Sequence, residues 1–121
     1  MQIRSFAGLI ALASLSALAA DAPEKTFTLT IAGGAVPKEQ RTMRVEKGDA
    51  VRVRVKSDAA GELHLHGYRL ALRLSRDGAG ELELLAYATG RYPFEWHGAG
   101  DAAAARKHHG PPLATLEVRP K

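Results

Sequence analysis

The run Glu62-Leu63-His64-Leu65-His66-Gly67-Tyr68 sets two imidazoles two residues apart in a stretch of strand character. Strand side chains alternate faces with a period of two, so His64 and His66 project together while Leu63 and Leu65 point the other way. Two neutral imidazoles on one face can close on a single ion, and imidazole nitrogen suits copper, zinc and nickel alike. A His-x-His pair alone is more often a surface pair beside a leucine core face. The other three histidines, His97, His108 and His109, give it weight, because all lie in the last quarter of the chain.

Other chemistries lack their parts. Gly98-Ala99-Gly100-Asp101-Ala102-Ala103 fits the loose G-x-G-x-x-A spacing, but too little chain follows to build the βαβ unit a dinucleotide needs. Ser57 and Ser75 sit in no nucleophile elbow. Glu62, Asp77, Glu95 and Asp101 show no pairing pattern for acid–base work, so no catalytic residue is assigned and the chain reads as a non-enzyme. Cysteine is absent, which removes thiolate chemistry and disulfides together.

These histidines need a scaffold, and its start is set by the N-terminus. Met1 to Arg4 form a short positive start, Ser5 to Leu18 are apolar or small, and Ala17-Leu18-Ala19 has the small-x-small pattern of a signal-peptidase site. That run is shorter than the roughly 20 residues that span a bilayer. Residues 1–20 are expected to be a signal peptide cleaved after Ala19 or Ala20, and residues 21–121 one domain, periplasmic or secreted. Without cysteine there is no lipid attachment point, so the expectation is a soluble monomer with no membrane span. The formal charge is +4 with no aromatic residues interleaved among the cations, which argues against nucleic acid as a partner.

The domain reads as strands throughout. Phe27, Leu29 and Ile31 alternate with threonines, and Val51, Val53 and Val55 alternate with Arg52, Arg54 and Lys56. Leu63 and Leu65 occupy odd positions but Leu70, Leu72 and Leu74 even ones, a phase change that predicts a bulge or kink at Gly67. In Arg91 to His97, Tyr92, Phe94 and Trp96 share one face while Pro93, Glu95 and His97 share the other. Pro93 cannot donate to a ladder, which predicts an exposed or edge strand there. Leu116 and Val118 face inward in the last strand. Seven to eight short strands at roughly 8–12-residue spacing predict an all-β fold, an antiparallel Greek-key β-sandwich. The connection from Gly98 to Pro112 is long for a loop. Asp101 can cap a short helix over Ala102 to His109, of about two turns, before the last strand.

Across nearly all of residues 21–121 the sequence resembles the cupredoxin family, the blue-copper β-sandwich. Val45-Glu46-Lys47-Gly48-Asp49-Ala50-Val51 is similar to that family's V-x-x-G-D-x-V strand pair, and Gly90-Arg91-Tyr92-Pro93-Phe94-Glu95-Trp96 to its G-x-Y-x-F-x-C strand. The resemblance implies histidine ligands at His64 or His66 and at His108 or His109; read from the residues, His64 and His66 are the fixed pair, His108 or His109 completes the site from the loop, and His97 is the reserve. It also shows departures: Trp96 stands at the cysteine position, and Pro112 lies where an axial methionine is expected. Without thiolate the blue-copper electron-carrier role does not transfer. The expectation is a protein that binds Cu(II), or zinc, through histidines for metal buffering, delivery or sensing. The alternative is a metal-free module that contacts a periplasmic protein or envelope partner through its Arg52/Arg54/Lys56 face or the strand at Pro93.

Overall fold

The computed structural model describes residues 24–100 and 111–121. It contains eight strands: β1 (Glu24–Ile31), β2 (Thr42–Glu46), β3 (Ala50–Ser57), β4 (Gly61–Leu65), β5 (Leu70–Leu74), β6 (Gly78–Leu85), β7 (Gly90–Gly98) and β8 (Ala114–Arg119). A single 3₁₀ turn at Lys38–Gln40 interrupts them. One sheet has the order β1-β3-β6 and the other β2-β8-β7-β4-β5. The all-β sandwich is as expected. The segments expected to form a signal peptide and a short helix before the last strand fall outside the described residues. No helix among those residues is long and apolar enough to cross a membrane.

Alternation builds the core. Leu29, Ile31, Val51, Val53, Val55, Leu63, Leu65, Phe94, Leu116 and Val118 are all buried between the sheets. Full burial of such a side chain stabilises by about 1.5–3 kcal/mol relative to exposure. Met43 is also buried there, so its thioether serves packing. On the outer face of β3 the cations meet acids across the register to β6. Arg52 lies 3.0 Å from Glu83 and Arg54 3.2 Å from Glu81. Exposed pairs of this kind contribute about 0–1 kcal/mol each. Their larger effect is to cancel much of the positive face read from β3 alone.

Three expectations need correction. Gly67 is not a bulge within one strand but part of a reversal between β4 and β5, with φ of 88° at Gly67 and 54° at Arg69. These strands pair antiparallel, Leu63 opposite Leu72 and Leu65 opposite Leu70. Residues directly opposite share a face, so the odd-to-even change marks a hairpin. The sandwich is also not antiparallel throughout, because β1 pairs with β3 and β2 with β8 in parallel. The chain leaves β1 for the other sheet instead of folding straight back, which frees both partners for parallel pairing.

The third correction concerns Pro93. Its strand, β7, lies between β4 and β8 and is no edge. The Phe94 carbonyl accepts from the Leu113 N–H on the β8 side, so Pro93 addresses β4, since successive residues alternate sides. The β4 ladder stops at Leu65, opposite Phe94. Past that point the Pro93 carbonyl accepts from the His66 N–H at 3.1 Å, and the missing proline donor falls where the ladder has ended.

Aromatic residues close the two ends of β7. Near its start Tyr92 packs edge-on against Tyr68, which packs edge-on against Tyr87. The Tyr68 and Tyr92 hydroxyls both donate to the Ala88 carbonyl. Burial pushes the Tyr68 phenol up despite that hydrogen bond. Near the strand's other end the Trp96 indole covers Gly61, the first residue of β4. A Cβ at Gly61 would collide with the indole and lie 2.7 Å from the His97 carbonyl oxygen.

Candidate metal centre

Strands β4 and β7 place the histidines. Their antiparallel register sets Glu62 opposite His97 and His64 opposite Glu95. Leu63, Leu65 and Phe94 fill the core from the inner face, so period-two alternation sends Glu62, His64, Glu95 and His97 to the outer face. His66, just past the end of β4, joins them through its backbone bond to Pro93. The result is a patch of three imidazoles and two carboxylates, all half-buried or exposed.

The rings are close but not convergent. His64 and His66 lie with ring centroids 6.3 Å apart and planes 22° from parallel. His64 and His97, on neighbouring strands, are closer, 5.0 Å apart and edge-on at 86°. The His64 Nε2 lies 2.8 Å from Glu62 Oε1, and the His66 Nε2 3.1 Å from Glu95 Oε2. The same Glu95 oxygen is 3.6 Å from the His97 Nε2. The Arg73 guanidinium on β5 donates to the second oxygen of Glu62 at 3.4 Å. Among the described residues, no three His, Asp or Glu side chains are grouped as they stand to hold a metal ion. An ion would therefore need these side chains to rotate, which their partial exposure permits: the His64, His66 and His97 side chains are 36%, 50% and 30% exposed.

A groove of ≈ 480 Å³ runs alongside, lined by Gly61, Glu62, His64, Arg73, Leu74 and His97 among others. The patch thus opens onto solvent beside a recess, not into the sandwich interior. His108 and His109 lie outside the described residues. His97 faces away from Trp96, as alternation requires, and this brings it toward His64. Glu62, Glu95 and Arg73 were missed from sequence. The carboxylates did leave a signal, because Glu62-x-His64-x-His66 and Glu95-x-His97 each keep acid and imidazole in one strand phase.

The inner end of the same strands is different. Trp96 occupies the position that matches the blue-copper cysteine, and its ring fills the space over Gly61 and approaches Gly34. With no cysteine in the chain and Met43 in the core, sulfur ligation has no donors there. The nitrogen and oxygen donors of the outer face suit Cu(II) or Zn(II).

No family model and no curated protein matches the sequence. Solved structures do. A copper-binding protein determined in solution in its apo form superimposes with a TM-score of 0.56 at 9% identity, over 79% of this chain and 88% of that one. A multicopper oxidase gives 0.60 at 17% identity, over 81% of this chain and 43% of the oxidase. A multi-copper oxidase from Pseudomonas thermotolerans gives 0.59 at 19%, over 82% and 30%. This chain spans less than half the length of those oxidases. At these identities the likeness establishes the fold, and the chain is a cupredoxin-like β-sandwich without the cysteine and axial methionine of the blue-copper site.

Proposed function

We propose that this is an exported cupredoxin-like protein that binds Cu(II), with Zn(II) as competitor, through histidines on the outer face of β4 and β7. Its role is metal buffering, delivery or sensing in the periplasm or outside the cell, not catalysis or blue-copper electron transfer. The observation that carries the reading is the meeting of His64, His66 and His97 from two strands beside Glu62 and Glu95. Similarity to a copper-binding protein supports it at the level of fold. Half-exposed rings over an open recess suit exchange, since an ion held there stays accessible to a partner.

Titration calorimetry of Cu(II) into the protein near neutral pH tests this. Saturable uptake is expected, with an electron paramagnetic resonance spectrum showing nitrogen ligands and no intense visible absorption. His64→Ala/His66→Ala and His97→Ala should each weaken uptake while the fold survives. Parallel replacement of His108 and His109 reads out their share. Absence of saturable uptake sinks the proposal. It would leave the metal-free interaction module, which the Trp96-filled inner end and the exposed Leu85 and Tyr87 favour.

A further inference from the structure

Charge is arranged differently on the outer faces of the two sheets. Over β3 and β6, Arg52 and Arg54 meet three acids, Glu24, Glu81 and Glu83. Over β2, β8 and β7 the ratio is reversed, and one acid, Glu117, meets three arginines. Register sets Arg44, Glu117 and Arg91 in one row across those strands, and Arg119 lies two residues farther along β8 on the same face. The Arg119 Nε donates to Glu117 Oε1 at 2.8 Å, while Arg44 Nε and Arg91 Nη1 each stand 3.6 Å from Oε2. The Glu117 side chain is 17% exposed, against 61%, 70% and 58% for Arg44, Arg91 and Arg119. The acid therefore lies beneath a cationic cover that is open to solvent.

Stability does not require this excess. One guanidinium neutralises a carboxylate, the second and third repel it, and exposed pairs contribute only about 0–1 kcal/mol each. The Arg119 hydrogen bond holds the Glu117 carboxyl below its usual range, so at neutral pH it carries one full charge against three. Donors are in excess as well, because each guanidinium has five N–H groups and a carboxylate roughly four lone-pair sites. Arg44 and Arg119 turn Nε toward Glu117, which leaves their terminal nitrogens for a second acceptor. The other acid of this corner, Glu46, stands opposite Arg119 and reduces the positive excess without cancelling it. We propose that Arg44, Arg91 and Arg119, gathered by Glu117, form a binding site for a small phosphate-type dianion. Guanidinium forks match the oxygens of phosphate in pairs, and a phosphate monoester carries close to two negative charges at neutral pH. A membrane surface fits less well, because Glu62 and Glu95 interrupt the cations farther along the same sheet face. The site shares no residue with the histidine patch.

The test is a titration with inorganic phosphate, at a pH where it is a dianion and with ionic strength held constant by chloride, followed in ¹H–¹⁵N spectra of the arginine side chains. The Nε–H signals of Arg44, Arg91 and Arg119 are expected to shift and saturate, and those of Arg52 and Arg54 to stay in place. Arg91→Gln and Arg119→Gln should each weaken phosphate by up to about 5-fold, the effect of one exposed charge contact, and the double variant further. Arg52→Gln should leave the affinity unchanged, and Glu46→Gln should tighten it. Shifts that never saturate, an equal response at Arg52, or unchanged affinity in the Arg91 and Arg119 variants would overturn the site. Co-sedimentation with phosphatidylglycerol vesicles by a protein that ignores free phosphate would overturn the small-ligand assignment in favour of a membrane surface.

Discussion

Strands β4 and β7 have two faces, and the two have opposite chemistry. The inner face carries Leu63, Leu65 and Phe94, and at its end Trp96 covers Gly61. The outer face of the same residues' neighbours carries Glu62, His64, Glu95 and His97. One residue of phase separates an apolar interior from a cluster of donors. A cupredoxin-like sandwich can thus close its inner end with an indole and still present imidazoles and carboxylates on the other face, because the two faces of a strand are packed independently. Inner-face changes should be read in stability and outer-face changes in binding.

That division can be broken by substitution. Trp96→Ala should lower unfolding free energy by about 3 kcal/mol, the low end for an aromatic truncation because the indole is only part-buried. Urea denaturation measures this, and Cu(II) affinity of the folded protein should hold. A large affinity loss would mean that the inner end belongs to the site. His64→Ala/His66→Ala is the reciprocal change. It should weaken Cu(II) by more than the about 100-fold upper cost of losing an outer partner. Stability should stay within about 0.5 kcal/mol, as for surface substitutions. Unfolding in this variant would deny that the faces are independent.

Gly61→Ala sharpens the comparison from the inner side. Its Cβ has no room beneath the indole or against the His97 carbonyl, so about 1–3 kcal/mol of overpacking is expected. Because that carbonyl belongs to a patch residue, a modest affinity change with it would show strain passing between faces. The smallest effect lies at β8. A hydrogen bond from Arg119 holds the Glu117 carboxyl below the usual carboxylate range, with Arg44 and Arg91 adding attraction. A depressed folded value gives stability that is present above the ordinary carboxylate pKa and lost as pH falls through the lowered one. Glu117→Gln should flatten the acid limb of a stability-against-pH curve by slightly lowering stability at neutral pH and leaving stability in acid, below the lowered pKa, unchanged.

Alternation along the chain is enough to locate the strands, and pairing partners decide what alternation leaves open. The Val51, Val53 and Val55 run reads the same in sequence and structure because one face of one strand is a local property. Arg52 and Arg54 read as a cationic face only until β6 brings Glu81 and Glu83 opposite. The leucine phase change around Gly67 was visible, but a bulge and a hairpin leave the same trace in one dimension. Pro93 suggested an edge because its missing donor was known and the end of the β4 ladder was not.

What the sequence determined by itself was periodic: an all-β chain with no sulfur ligand, and His64 with His66 on one face. Those follow from side-chain alternation and composition, which need no partner strand. Register was decided only in three dimensions. The offset between β4 and β7 brings His97 to His64 and Glu95 to His66, and the β4–β5 hairpin brings Arg73 to Glu62. Such offsets arise from how two faces bury their apolar residues together, and no single strand carries that information.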